Sequence, residues 1–143
     1  MLVVSGQVEY ASVIAAMHSS CFNDKWSEKS IQTLLSLPTT IGWVSEYGFL
    51  LCSHVLDEME ILTIGVLPEC RRKSIGTNLL EEMIKWASNA NITKIFLEVS
   101  VRNIPAQKLY QKFGFCKTGV RTGYYQTPQG PVDALCLTKF LAE

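Results

Sequence analysis

A basic loop between Leu67 and Thr77 is the segment whose residue types most clearly suggest a binding function. Three consecutive cations, Arg71, Arg72 and Lys73, precede a predicted helix that begins near Gly76. Free N–H groups and the positive end of the helix dipole attract anions there, and glycine allows a diphosphate to approach the backbone. The loop therefore predicts a pyrophosphate site, with a solvated basic turn as the alternative.

The same loop excludes two common nucleotide sites. It contains neither G-x-x-x-x-G-K-S/T nor G-x-G-x-x-G. Nucleotide hydrolysis and dinucleotide binding therefore lack their usual signatures.

Glu98 and Tyr110 are titratable residues in segments that are otherwise apolar. Glu98 shares one face of a predicted strand with Phe96, so its carboxylate is expected to be partly desolvated, which raises a carboxyl pKa. Tyr110 lies on the apolar stripe of a predicted helix. By their positions alone, a salt-bridged structural glutamate and a core tyrosine are the ordinary interpretations.

No nucleophilic triad or metal site can be assembled from the sequence. No Ser/His/Asp or Cys/His arrangement that uses His18, His54 or Cys116 can be recognised in the sequence, so Cys116 is a poor candidate for an acetyl-carrying nucleophile. The five cysteines contain no C-x-x-C pair, which argues against zinc and against a disulfide framework. We therefore expect no metal and a reducing, cytoplasmic environment.

The periodicities predict one domain, residues 1–143, of the α/β class with a mixed sheet. The order is strand, helix, helix, three strands, helix, strand, helix and two strands. A strand, a helix and a strand in succession imply a parallel crossover. Predicted strands are Leu2–Val4, Thr40–Glu46, Phe49–Leu56, Met59–Val66, Lys94–Val99, Phe115–Tyr124 and Val132–Lys139. The helical stripes are Tyr10, Val13, Ile14 and Met17; a helix capped by Ser27; Gly76 to Ala87; and Ala106 to Phe113, with Gly114 as a stop.

Charge and hydropathy exclude several classes of partner. Lys plus Arg and Asp plus Glu number 13 each, so no bulk charge attracts nucleic acid or an anionic membrane. No segment approaches the roughly 20 apolar residues that span a bilayer. The start, Met1 to Gly6, has neither the charged residues nor the long apolar run of a leader, so we expect no export. We expect no nucleic acid, no membrane, and a monomer or weak dimer.

The loop and the order of elements resemble the GNAT superfamily of N-acetyltransferases. R-x-x-S-x-G after V-L-P resembles that family's Q/R-x-x-G-x-G/A loop. The resemblance implies an acetyl-CoA cosubstrate, with its pyrophosphate on the loop amides and its pantetheine arm between two splayed parallel strands. It places the CoA contacts at Ile64, Gly65, Val66, Arg72, Lys73, Ser74, Ile75, Gly76, Thr77 and Asn103.

Two of these positions carry particular expectations. Ser74 replaces the usual glycine, at a cost of roughly 1–2 kcal/mol if its φ is positive. Asn103 has an equally good local role as the cap of the helix that contains Pro105.

Three further segments resemble the RimI family, the ribosomal-protein-alanine N-acetyltransferases. They are W-S-E-K at residues 26–29, L-E-V-x-x-x-N…A-x-x-L-Y-x-x-x-G-F at 97–115, and Y-Y-x-T-x-Q-G-x-x-D-A at 124–134. The resemblance implies Glu98 as general base, Tyr110 as general acid, and Tyr124 and Tyr125 in the acceptor pocket. Backbone N–H groups around Val66 are expected to polarise the thioester carbonyl.

The function implied by this resemblance is acetylation of an N-terminal alanine. The family substrate is small-subunit ribosomal protein eighteen. Two alternatives stay open: acetylation of a small amine such as a polyamine, and a non-catalytic CoA-binding partner module.

Overall fold

The chain folds into a seven-stranded sheet with helices on both faces. The structure is a computed structural model that describes residues 1–22, 26–71 and 73–141. The strands are β1 (Leu2–Val4), β2 (Thr40–Val44), β3 (Gly48–Val55), β4 (Glu58–Val66), β5 (Lys94–Ser100), β6 (Cys116–Thr127) and β7 (Gly130–Phe140). The helices are α1 (Ala11–Cys21), α2 (Glu28–Ser36), α3 (Ile75–Asn89) and α4 (Ile104–Lys112), with 3-10 turns at Val8–Tyr10 and Pro68–Cys70. This order confirms the predicted mixed α/β fold.

Strands β4 and β5 are parallel, and they pair over a short stretch only. The sheet order is β1-β2-β3-β4-β5-β7-β6, and the other neighbouring strands are antiparallel. The parallel register runs from Glu58 opposite Lys94 to Glu60 opposite Phe96 and then stops, although both strands continue. The two strands therefore diverge towards their carboxyl ends, as the splayed arrangement requires.

Two apolar clusters fix the helices on the sheet. Helix α3 buries Leu79, Leu80 and Met83 against one face. Helices α1 and α2 bury Ile14 and Ile31 against the other face. Because α3 connects β4 to β5, its packing sets both the parallel crossover and the position of the loop that precedes it.

Local capping signals fix the helix ends as predicted. The Ser27 hydroxyl accepts a hydrogen bond from the Ser30 amide at 3.1 Å, and Asn103 Oδ1 accepts one from the Ala106 amide at 3.2 Å. Gly114 takes φ +88° just after α4, a conformation that glycine adopts without steric cost. No helix in the described ranges is long and apolar enough to cross a membrane.

The prediction for α1 was wrong at two positions. Val13 is 43% exposed, and Tyr10 belongs to the preceding 3-10 turn. The buried side carries His18 next to Ile14 and Met17. Hydropathy missed His18 because its ring is buried by stacking on aromatic neighbours.

Strand bounds differ from the prediction mainly at the turns. Residues 45 and 46 lie outside β2, and Leu56 is 91% exposed in a turn with φ +56°. Strand β6 extends to Thr127, because the hairpin turns only at residues 128 and 129.

Candidate active site

The divergence of β4 and β5 opens a cavity of about 370 Å³. Leu62 to Ile64 line it on β4, and Leu97 to Ser100 line it on β5. Leu62 is an extra residue in the β3–β4 ladder, since Leu51 pairs with Thr63 whereas Cys52 pairs with Ile61. Such a bulge bends a strand and breaks its pairing, and here it lies beside the cavity.

A second, larger cavity, called the groove below, continues from the first towards the amino end of α3. Its volume is about 680 Å³. Phe22, Ile64, Asn103 and Ala106 line both cavities. The two therefore form one trough that runs from the α3 N-terminus to the space between the splayed strands.

Ser74 sets the backbone at the end of this trough. It is the N-cap residue of α3 and has φ +64° and ψ +16°, a left-handed conformation that glycine adopts more readily than a residue with a Cβ atom. Its side chain makes no capping hydrogen bond. The amide of Asn78 bonds to the Ser74 carbonyl at 2.9 Å, so the amides of Ile75, Gly76 and Thr77 have no intrahelical acceptor. These are donors that suit a phosphate group.

Most of the predicted CoA contacts line the trough. They are Ile64, Gly65, Val66, Ser74, Ile75, Gly76, Thr77 and Asn103. Lys73 is exposed and lies outside the lining. Arg72 lies outside the described residues. The Asn103 side chain also caps α4, so the local role foreseen for it coexists with its place in the groove.

Arg71 belongs to the predicted basic loop, and it lines the groove and donates from Nε to the Val66 carbonyl at 3.1 Å. Two further lining residues were not predicted from sequence. Cys21 donates to the same carbonyl from Sγ at 3.3 Å. Leu109 contributes from α4. The helical stripes marked these helices as amphipathic but could not say which residues border a groove.

Two glycines bring backbone close to packed side chains. A Cβ atom on Gly65 would lie 2.6 Å from Phe49 Cε1, so this position of β4 tolerates no side chain. A Cβ atom on Gly76 would lie 3.3 Å from Leu109 Cδ2. Gly76 therefore keeps the first turn of α3 next to α4 and leaves its backbone open to the groove.

Glu98 lies in the first cavity with one carboxylate oxygen paired and the other unpaired. Its side chain is 16% exposed, and Oε1 lies 3.0 Å from Nε of Arg121. Oε2 is buried and has no hydrogen-bond partner among the described residues. The expected partial burial of Glu98 is confirmed. The ion pair expected of a salt-bridged structural glutamate is also present. A second carboxylate is close: burial and the Glu98 charge raise the pKa of Glu60.

Tyr110 lines the same cavity from α4 and is 4% exposed. Its ring packs edge to face on Phe115, with the centroids 5.6 Å apart. Burial raises the pKa of its hydroxyl, with smaller contributions from Cys52 and Tyr125. Tyr110 therefore carries its proton at neutral pH.

Of the two tyrosines predicted in the acceptor pocket, only Tyr125 lines the cavity. Its hydroxyl donates to the Glu98 carbonyl at 3.3 Å. Burial raises the pKa of Tyr125 to about 12. Tyr124 is 48% exposed and packs edge to face on Tyr125, with the centroids 5.0 Å apart.

An aromatic cluster, defined here as His18, Phe22 and Trp26, forms another wall of the cavity. The His18 ring stacks on Trp26 at 4.9 Å and lies 4.5 Å from Phe22. The Trp26 amide donates to His18 Nδ1 at 3.4 Å. This wall was not predicted from sequence, although the i, i+4 spacing of His18 and Phe22 is a signal that could have indicated it.

The residues present suit acid–base chemistry on an amine. A carboxylate and a protonated phenol face one cavity, which joins a groove rich in free amides. Within the described ranges, no three His, Cys, Asp or Glu side chains cluster as metal ligands would.

Comparison with known proteins identifies a family. Residues 13–115 match the model of the Acetyltransferase (GNAT) family. Over 117 residues the chain is 35% identical to the ribosomal protein bS18-alanine N-acetyltransferase of Salmonella typhimurium, with 78% of each chain covered. Over 66 residues it is 48% identical to an N-alpha-acetyltransferase of Saccharolobus solfataricus, covering 46% of this chain and 40% of that one.

The crystal structure of the Escherichia coli ribosomal-protein-S18-alanine N-acetyltransferase has a TM-score of 0.89 to this chain. The alignment covers 99% of this chain and 94% of that one, at 24% identity. This similarity shows the shared fold.

Proposed function

This chain belongs to the GNAT family and is an N-acetyltransferase, and we propose that it transfers the acetyl group of acetyl-CoA to the N-terminal alanine of a protein. Ribosomal protein bS18 is the proposed acceptor, because a relative that is 35% identical to this chain is named for that substrate. The observation that carries the proposal is the single trough that joins the free amides of α3 to Glu98 and Tyr110.

The groove has the features that CoA binding needs. The amides of Ile75, Gly76 and Thr77 are proposed to hold the pyrophosphate, supported by the positive end of the α3 dipole. Arg71 adds a positive charge beside the groove. Ile64 to Val66, on the part of β4 that does not pair with β5, are proposed to border the pantetheine arm. Acetyl-CoA supplies the acetyl thioester.

Glu98 is proposed to accept the proton that an ammonium group must lose before it can attack, directly or through water. Tyr110 is proposed to donate a proton to the CoA thiolate as it departs. With reference pKa values near 10 for tyrosine and about 8.5 for a thiol, complete transfer costs roughly 2 kcal/mol. Burial raises the pKa of Tyr110, but the same burial disfavours a thiolate, so the two effects oppose each other.

An α-amino group suits a single carboxylate base better than a lysine does. With pKa values near 7.7–8.0 and 10.4, freeing the amine at neutral pH costs about 1 and about 4.6 kcal/mol respectively. The cavity beside Glu98 is enclosed by Tyr125 and by the aromatic cluster. Large rigid rings on several sides favour a small first residue such as alanine.

The test is mass spectrometry of peptides after incubation with the enzyme and acetyl-CoA. One peptide carries the N-terminal sequence of bS18 and also contains a lysine; its matched control begins with leucine instead of alanine. We expect acetylation at the α-amine of the alanine peptide and little on either the control or the lysine. Acetylation chiefly at lysine, or only of free polyamines added in parallel, would contradict the proposal and favour a small-amine acetyltransferase.

A further inference from the structure

Arg121 makes the one ion pair that the Glu98 carboxylate has with the described residues. Its Nε lies 3.0 Å from Glu98 Oε1, within the range of a charge-assisted hydrogen bond. The Arg121 side chain is 60% exposed and that of Glu98 is 16% exposed. The guanidinium therefore contacts the carboxylate from the solvent side.

An irregularity in the β6–β7 hairpin lies between Arg121 and Tyr125. Arg121 pairs with Ala134 and Tyr125 with Val132, so residues 122–124 of β6 lie opposite the single residue Asp133 of β7. Asp133 Oδ1 accepts a hydrogen bond from the Gly123 amide at 2.8 Å, and Gly123 has φ +64°. The bulge brings Arg121 and Tyr125 closer together than four residue steps along a regular strand would.

As a consequence, three residues of β6 approach Glu98. Arg121 holds the carboxylate, the Tyr125 hydroxyl donates to the Glu98 carbonyl at 3.3 Å, and the nearby Glu98 carboxylate raises the pKa of Tyr124. The guanidinium carbon of Arg121 lies 5.3 Å from the centre of the Tyr124 ring, a geometry that favours a cation over an aromatic face. The Arg121 side chain therefore has two independent contacts that define its place.

We propose that Arg121 is a positioning residue for Glu98: by holding Oε1, it fixes the carboxylate so that Oε2 receives the proton of the acceptor amine. The N–H bond of the ammonium breaks, an O–H bond forms at Oε2, and the electron pair stays on nitrogen for the attack. A buried carboxylate oxygen without a donor is costly, so Oε2 gains when a donor arrives. The inference rests on the proposed function, in which Glu98 is the base.

The test compares steady-state kinetics of Arg121→Gln, Arg121→Lys, Glu98→Gln and the double variant Arg121→Gln/Glu98→Gln. Lys94→Gln is the matched control, because Lys94 pairs with Glu58 at 3.8 Å elsewhere on the sheet. We expect Arg121→Gln to lower kcat about 10-fold while the KM for acetyl-CoA changes less than about twofold. Lysine should restore part of the loss, and Lys94→Gln should behave as wild type.

The double variant gives the sharpest readout. If Arg121 acts through Glu98, the double variant is no slower than Glu98→Gln alone, because the group that Arg121 positions is already lost. Fully multiplicative losses, or an Arg121→Gln enzyme that matches Lys94→Gln, would overturn the proposal. Should Arg121→Gln unfold at assay temperature, Arg121→Met offers a long apolar side chain beside Tyr124 and tests the same loss of the donor.

Failure of the proposed function is visible separately. It appears in the wild-type enzyme, as no acetylation of the alanine peptide, and the variants are then compared on the amine that the wild type does acetylate. Failure of the Arg121 role appears only in the comparison between variants.

Discussion

The ring of Tyr110 packs edge to face against Phe115, with the two centroids 5.6 Å apart. Tyr110 lies near the end of α4, and the Phe115 amide bonds back to the Tyr110 carbonyl at 3.1 Å. This closed turn, with Gly114 at its centre, holds the phenol in the cavity between the splayed strands.

Tyr110→Phe should lower kcat by about 100-fold, because a proton donor in the chemical step typically contributes that much. Binding of acetyl-CoA, measured by calorimetry, should change little. Phenylalanine keeps the contact with Phe115, so thermal unfolding should stay close to wild type. Tyr47→Phe, at an exposed site, is the control; wild-type turnover in both variants would remove the role of Tyr110 as general acid.

Glu98→Gln should lower kcat by about 100-fold or more with little effect on acetyl-CoA affinity, since the amide cannot accept the amine's proton at neutral pH. Glu60→Gln is the matched control, because Glu60 is a neighbouring carboxylate outside the lining of the cavity. The measurement is turnover of the alanine peptide. Loss of activity in Glu60→Gln with normal activity in Glu98→Gln would instead assign the role of general base to Glu60.

Gly76→Leu should weaken acetyl-CoA binding by about 10-fold or more while the protein stays folded. A Cβ atom at this position already lies 3.3 Å from Leu109 Cδ2, so a larger side chain must extend into the groove or displace α4 and obstruct the amides that bind phosphate. Gly119→Ala is the control, because its Cβ would make only ordinary contact with Cys136 at 3.8 Å. Undiminished affinity in Gly76→Leu, measured by calorimetry, would argue against a pyrophosphate at this helix end.

Ser74→Gly should raise the free energy of unfolding by roughly 0.5–1 kcal/mol. A left-handed serine costs about 1–2 kcal/mol, and part of this gain is offset by the greater freedom of glycine in the unfolded chain. The serine makes no capping bond that would be lost, so acetyl-CoA affinity should be unchanged or higher.

Leu56→Gly is the matched control for Ser74→Gly, since Leu56 also has a positive φ but lies in an exposed turn. It should stabilise the protein without any effect on acetyl-CoA affinity. A clear loss of affinity in Ser74→Gly alone would assign the serine hydroxyl a role in binding.

Stability should fall between pH 10 and 12, and Tyr125→Phe should make that fall less steep. The pKa of Tyr125 is about 12 in the folded protein and near 10 when unfolded. The folded state keeps the proton across this range while the unfolded state releases it, so the free energy of unfolding declines as pH rises. Urea denaturation of both proteins at about pH 9 and about pH 11 measures the difference; equal losses would contradict it.

Local chemistry made much of this molecule predictable. The caps at Ser27 and Asn103, the stop at Gly114 and the stripe of α3 depend on residues within one or two helical turns, so they were identified from sequence. The loop proposed to bind phosphate was identified for the same reason, because its cations, its glycine and its helix start are adjacent in the chain. The family resemblance raised a positive φ at Ser74 only as a condition, and the structure meets it with φ +64°.

The residues around the reactive groups depended on contacts that no local pattern contains. The Glu98–Arg121 pair joins β5 to β6, two strands that β7 separates, so it depends on the register of β7 with each of them. The bulge at Leu62 and the stacking of His18 on Trp26 likewise depend on how strands and helices pack. Sequence by itself determined the elements, their order and the helix start that is proposed to bind an anion, because short-range hydrogen bonding and periodicity govern them. Only the tertiary structure decided which charge faces Glu98 and which rings line the proposed acceptor cavity, because sheet register and packing bring together side chains that lie far apart in the chain.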